Sequence, residues 1–138
     1  MNRSDFQQLA ELRVKEAEVL LNEGYFDGAY YLLGYAVECA LKACIAKQTR
    51  EFDFPPDRRA VEAIYKHNPN DLLKPSTLGR EHEEARRASS AFDANWKIIQ
   101  GWTEQSRYHQ GKSEKEVVDF LSAIVGDEGV LPWLKKSW

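Results

Sequence analysis

One segment limits what this chain can become more than any other: Gly28 to Ala46, GAYYLLGYAVECALKACIA, whose only charges are Glu38 and Lys42. The two charges stand at i and i+4, so on a helix they share a face and can pair. At about 100° per residue, Tyr31, Tyr35, Glu38 and Lys42 fall on one stripe, while Ala29, Leu33, Ala36, Val37, Ala40 and Cys44 cover the opposite side. A helix without a broad solvated face is buried in the middle of a protein or lies in a membrane. The run just reaches the length of a bilayer span. The ion pair, the tyrosines at 30, 31 and 35 and the highly charged sequence that follows argue instead for the central helix of a soluble bundle. Its polar stripe is then either a structural ion pair or the floor of a site.

The 138 residues suit a single domain, residues 1–138, able to bury a core without metal or disulfide support. The formal charge of −3 gives no global field to recruit nucleic acid, so any such binding needs a local basic patch. Cys39 and Cys44 lie on opposite flanks of the central helix, roughly 140° apart at helical spacing, and cannot close a disulfide there. They read as small core residues in a reducing compartment. The N-terminal MNRSDFQQLAEL has no apolar signal-peptide core, which places the expected protein in the cytoplasm, off the membrane.

Helix signals dominate from end to end. Ser4 and Gln7 fit a capping box, and Phe6, Leu9, Ala10, Val14, Ala17, Leu20 and Leu21 form a stripe that stops at Gly24. Asp27 suits the cap of the second helix, with Phe26 and Tyr31 as a hydrophobic staple, so the first two helices form an antiparallel hairpin. Between about Thr49 and Gly79, Pro55, Pro56, Pro69 and Pro75 permit only short helices, such as Asp57 to Lys66. Phe52, Phe54, Ile64, Tyr65, Leu72 and Leu73 in this stretch call for burial. A long helix is expected from about Arg80 to Glu104, with Ala85, Ala88, Phe92, Trp96 and Ile99 on one face. Ser113 and Glu116 form a second capping box, opening a helix through Val117, Phe120, Leu121 and Ile124 that stops at Gly126. The chain closes on an aromatic tail, VLPWLKKSW. The expected fold is all-α, an up-down bundle of four to five helices.

The usual catalytic signatures are missing. Neither a G-x-G-x-x-G turn nor a Walker loop can be written. His82-Glu83-Glu84-Ala85-Arg86 begins like a zinc-protease helix, but Arg86 stands where the second histidine belongs. No metal site and no cofactor are expected. One cluster does carry chemistry: Ser106-Arg107-Tyr108-His109, beside Trp102 and before Gly111. Arginine holds a phosphate by its planar fork, and histidine moves a proton near neutral pH. Together they suit metal-independent cleavage of an RNA phosphodiester by its own 2′-hydroxyl. The plain alternative is a helix C-terminus whose Arg and His complement the dipole.

The order of these features resembles the HEPN family (higher-eukaryote and prokaryote nucleotide-binding domain). The resemblance rests on RVKEAEVLLNEGYFDGAYYLLGYAVECALKA, then KHNPNDLLK, ANWKIIQGWTEQSRYH and EKEVVDFLSAIV. It implies an up-down helical bundle, often a homodimer, in a family of RNA-cleaving toxins, defence nucleases, nucleotide-binding modules and partners of minimal nucleotidyltransferases. The family's nuclease motif sets a histidine about four to six residues after an arginine. Here His109 follows Arg107 with a single residue between, and no other Arg/His pair near Arg107 restores the spacing. Only Arg107 carries over, with Tyr108 and His109 as neighbours.

Three functions follow in order. The first is a nucleotide- or RNA-binding accessory protein, a homodimer and either partner of a nucleotidyltransferase or a degenerate nuclease, in which Tyr31, Tyr35, Glu38, Lys42, Arg107 and Tyr108 form the ligand site. The second is a metal-independent ribonuclease using Arg107 and His109 across a dimer cleft. The third is an adaptor that docks through Trp133 and Trp138.

Overall fold

The computed structural model describes residues 1–49 and 58–138, and all regular structure in them is helical. The elements are α1 (Arg3–Asn22), α2 (Phe26–Gln48), α3 (Arg58–Ile64), α4 (Pro69–Ser76), α5 (Gly79–Ala88), α6 (Ser90–Ile99), a 3₁₀ turn (Glu104–Tyr108), α7 (Glu114–Val125) and α8 (Val130–Lys135). The all-α expectation holds, with more and shorter helices than the four to five anticipated. Phe52 and Phe54 lie outside the described residues.

Helix α2 is the axis of the molecule. Ala29, Leu33, Ala36, Val37, Ala40, Leu41 and Cys44 are fully buried, and α1 packs along the helix as the second arm of a hairpin. Helix α2 also packs against α4, α7, α8 and the 3₁₀ turn. By length and composition α2 alone among the described helices is apolar enough to cross a membrane, yet 67% of that stretch is packed inside the protein. Both cysteines are free and buried, and burial pushes each thiol up to about 11, so neither is a ready nucleophile.

Several local expectations need correction. Helix α1 is capped by Asn2, whose side chain accepts from the Asp5 N–H while Asp5 accepts from the Asn2 N–H; the Ser4–Gln7 box does not form. Helix α2 begins at Phe26 with no side-chain cap, so Phe26 lies in its first turn and no staple precedes it. Asp27 instead accepts the backbone N–H groups of Gly111 and Lys112 at 3.2 and 2.8 Å. The single long helix expected from Arg80 to Glu104 is two helices, α5 and α6, and ends at Ile99. Ser89 adopts an extended conformation (φ −136°, ψ 112°), and its hydroxyl accepts the Phe92 N–H at 3.1 Å, so it ends α5 and caps α6. Arg86 and Asp93 tie the two helices across that break at 2.5 Å. Ala88, at the break, is exposed, whereas Phe92, Trp96 and Ile99 enter the core as expected. Tyr65 is 75% exposed, against the expectation of burial. The expected stops at Gly24 (φ +83°) and Gly126, and the Ser113 cap on the Glu116 N–H, are all present. Trp133 and Trp138 pack partly buried against the core, so the closing segment is not a free aromatic tail.

Candidate functional site

The stripe Tyr31–Tyr35–Glu38–Lys42 does lie along one side of α2, bordered by α1 at one edge and by the 3₁₀ turn and the start of α4 at the other. Glu38 is 2% exposed, an unusual place for a carboxylate. Its Oε1 accepts from Lys42 Nζ at 2.7 Å and meets His67 Nδ1 at 3.0 Å. The side chains of Lys42 and His67 are 17% and 46% exposed, so the buried charge is compensated from the solvent edge. His67 is held there by its neighbours: Asn68 caps α4, Pro69 opens it, and Asn70 accepts from the buried Trp96 Nε1 at 3.1 Å.

At the other end of the stripe, Tyr31 and Tyr35 stack nearly parallel with centroids 6.3 Å apart, and Trp102 lies 6.1 Å from Tyr31. The seat for Trp102 is Gly34. A Cβ at that position would come within 2.2 Å of the indole, so only glycine lets the ring lie against α2. The fully buried Trp102 in turn fixes the start of the 3₁₀ turn, which presents Arg107, Tyr108 and His109 to solvent. The Arg107 guanidinium stands 5.0 Å over the Tyr108 ring. Tyr108 and then a hydrogen bond to Tyr31 raise its pKa further, so it is a fixed cation. Two buried polar atoms of the same segment, Trp102 Nε1 and Ser106 Oγ, have no hydrogen-bond partner among the described residues. On the α1 side Arg13 lies 6.0 Å over Tyr35 and pairs with Glu16. Asp27 pins residues 111 and 112, and Lys112 Nζ sits 4.2 Å over Tyr30, which sets the path of the chain after His109.

The structure therefore brings Arg107 near both Tyr108 and Tyr31, and joins Glu38 to Lys42 one helical turn beyond Tyr35. It does not turn His109 toward the stripe by any contact: the residue follows the 3₁₀ turn in extended conformation (φ −86°, ψ 150°) and is exposed. Sequence reasoning missed His67, Arg13 and the Gly34–Trp102 seat. The signal for His67 was available, because it opens the His-Asn-Pro-Asn segment that caps α4. Among the described residues no group of three or more His, Cys, Asp or Glu could hold a metal ion.

An all-helical protein with a buried Glu–Lys pair on its central helix, and an exposed arginine–tyrosine turn docked against that helix, is the class these features define. The HEPN domain matches residues 4–134, and the chain belongs to that family. Comparison with curated proteins finds no match, and neither does comparison with solved structures. Membership supports a general nucleotide- or RNA-associated role.

Proposed function

We propose that the protein binds a nucleotide or RNA along the α2 stripe, as an accessory HEPN protein. The observation that carries this reading is the exposed Arg107 fork, stacked at 5.0 Å on Tyr108 beside the Tyr31–Tyr35 pair. An arginine so placed offers planar hydrogen bonds to a phosphate while the aromatic rings offer faces to a base. Lys42 of α2 and Arg13 of α1 lie along the same stripe, each already paired, with Glu38 and Glu16. The test is binding of labelled single-stranded RNA and of a mononucleotide in chelator. Arg107→Ala should weaken binding by about 1–3 kcal/mol, as for a lost charge-assisted contact, and His109→Ala should leave it nearly unchanged. Equal binding by wild type and Arg107→Ala would remove the arginine from the site.

A metal-independent ribonuclease is the second reading, favoured by the exposure of both Arg107 and His109 at the end of one short turn. Side chains that diverge within one chain converge on a phosphate if His109 comes from a second copy. Cleavage by wild type, lost in both Arg107→Ala and His109→Ala, would establish it over the binder. An adaptor role through Trp133 and Trp138 is the weakest reading, since both rings pack on the core.

A homodimer belongs to the leading reading. Leu12 and Val19 on α1 are 46% and 62% exposed, Val118 and Val125 on α7 are 45% and 36% exposed, and the two helices touch. These apolar pairs, each spaced i and i+7, suit a twofold contact. A cytoplasmic location and a nucleotidyltransferase partner, whose gene would lie alongside, complete the proposal.

A further inference from the structure

The segment from Gly101 to Lys112 lies against α2 in a way that leaves two polar groups unsatisfied. Trp102 is fully buried and Ser106 is 5% exposed, yet Trp102 Nε1 and Ser106 Oγ have no hydrogen-bond partner among the described residues. Nε1 is one of the three ring atoms that a Cβ at Gly34 would meet, so the N–H edge of the indole faces the backbone of α2. The carbonyls of a helix interior are already bonded four residues on, and the indole N–H bonds to none of them. Buried polar groups without partners are rare, and water would satisfy both on exposure. The docked arrangement therefore carries a cost that opening removes.

The segment is anchored at its ends. Trp102 sits on Gly34 at one end. At the other the Asp27 carboxylate accepts the Gly111 and Lys112 N–H groups at 3.2 and 2.8 Å, with Gly111 at a φ of +96°. Between the anchors runs the 3₁₀ turn, whose main contact is α2. The Ser106 and His109 N–H groups bond only within the segment, to the Thr103 and Ser106 carbonyls at 3.0 and 3.1 Å. A single turn of this kind does not persist once it leaves its support.

We propose that residues 101–112 form a strap that opens from α2 and closes on it as one unit while the helical bundle stays folded, with Asp27 as its latch. The strap carries the exposed Arg107, Tyr108 and His109, so its closed fraction scales the affinity of any ligand they hold. That use of the strap rests on the binding function proposed above; the opening itself does not.

The experiment is residue-resolved amide hydrogen exchange by NMR on wild type, Ser106→Ala and Asp27→Ala, without ligand, so its result is independent of any binding. In wild type the Ser106, His109, Gly111 and Lys112 amides should exchange at least about a hundredfold faster than the interior of α2, as for a sub-global opening. Each substitution is read at the opposite end of the strap. Ser106→Ala removes an unsatisfied hydroxyl, so exchange at Gly111 and Lys112 should slow by at least about fivefold. Asp27→Ala releases the latch, so exchange at Ser106 and His109 should quicken by about tenfold or more, with α2 unchanged. Ser106→Ala gives the decisive sign, since trimming an ordinary buried side chain loosens its surroundings. Exchange at Gly111 and Lys112 that is unchanged or faster in Ser106→Ala overturns the strap. So do effects of Asp27→Ala that stop at residues 111 and 112, or strap amides that exchange only as fast as α2.

Discussion

Replacing Gly34 by Ala sets two effects of opposite sign against each other. In a helix interior alanine is more favourable than glycine by about 0.5–1 kcal/mol, so an uncrowded position would be stabilised. At Gly34 the new methyl would meet three atoms of the Trp102 ring at 2.2–2.3 Å. Carbon atoms pack best at about 3.5–4.0 Å, so the indole must retreat by more than ~1 Å. Trp102 is fully buried, and its ring cannot move without disturbing Tyr31 and the chain that leads into the 3₁₀ turn. Overpacking of this kind costs about 1–3 kcal/mol, and a close approach to a rigid ring belongs at the upper end. The net expectation is a loss of roughly 2 kcal/mol, measured by urea denaturation with an unchanged m-value. Combining Gly34→Ala with Trp102→Leu makes room for the methyl. The pair should be more stable than the sum of the single changes by at least about 1 kcal/mol. Arg107 rides on the same turn, so Gly34→Ala should also weaken RNA binding. A Gly34→Ala protein as stable as wild type, or more so, would refute the glycine seat and the geometry built on it.

Breaking the Glu38 network should be expensive: Lys42→Met leaves a carboxylate 2% exposed with only His67 beside it, and a loss of roughly 3–5 kcal/mol is expected. A thermodynamic cycle with Glu38→Gln measures the coupling, and near-zero coupling would mean that the pair faces water. His82 gives a pH signature. It is 5% exposed, edge-on to Trp96 at 4.2 Å, and burial, followed by Arg86, holds its pKa down to about 4 from 6.5. The folded state binds this proton less readily than the unfolded chain, so the contribution is whole above about pH 6.5 and declines toward pH 4. The slope should approach 1.4 kcal/mol per pH unit, about 3 kcal/mol in all, should be absent from His82→Leu, and so should appear in full in the difference between wild type and that variant. For the dimer, sedimentation at about 100 µM should give twice the monomer mass, and Val19→Glu with Val118→Glu should return the monomer; a wild-type monomer at that concentration ends the dimer proposal.

Much of the site was legible along α2 because helical periodicity is a local property. Spacing alone set Tyr31, Tyr35, Glu38 and Lys42 on one stripe and paired the two charges, and the solid geometry agrees. The same reasoning failed where two local signals competed. The apolar face of Ala85, Phe92, Trp96 and Ile99 continues at helical spacing, yet Ser89 caps a new helix, because its hydroxyl satisfies a backbone N–H that a continuous helix would have bonded internally. Asp27 misled for a related reason. A carboxylate near a helix start can cap it, but here it is more fully used by two N–H groups brought from residues 111 and 112.

The sequence by itself determined the all-helical class, the central helix and the family, since each rests on residue type repeated at short range. Only the tertiary structure decided that His67 reaches Glu38 across 29 positions of sequence, that Trp102 fits against Gly34, and that Trp102 lies beside Tyr31. These are contacts between segments that share no periodicity. They form because burying Glu38 demands a second partner and burying an indole demands a missing side chain, and neither demand can be met from within α2.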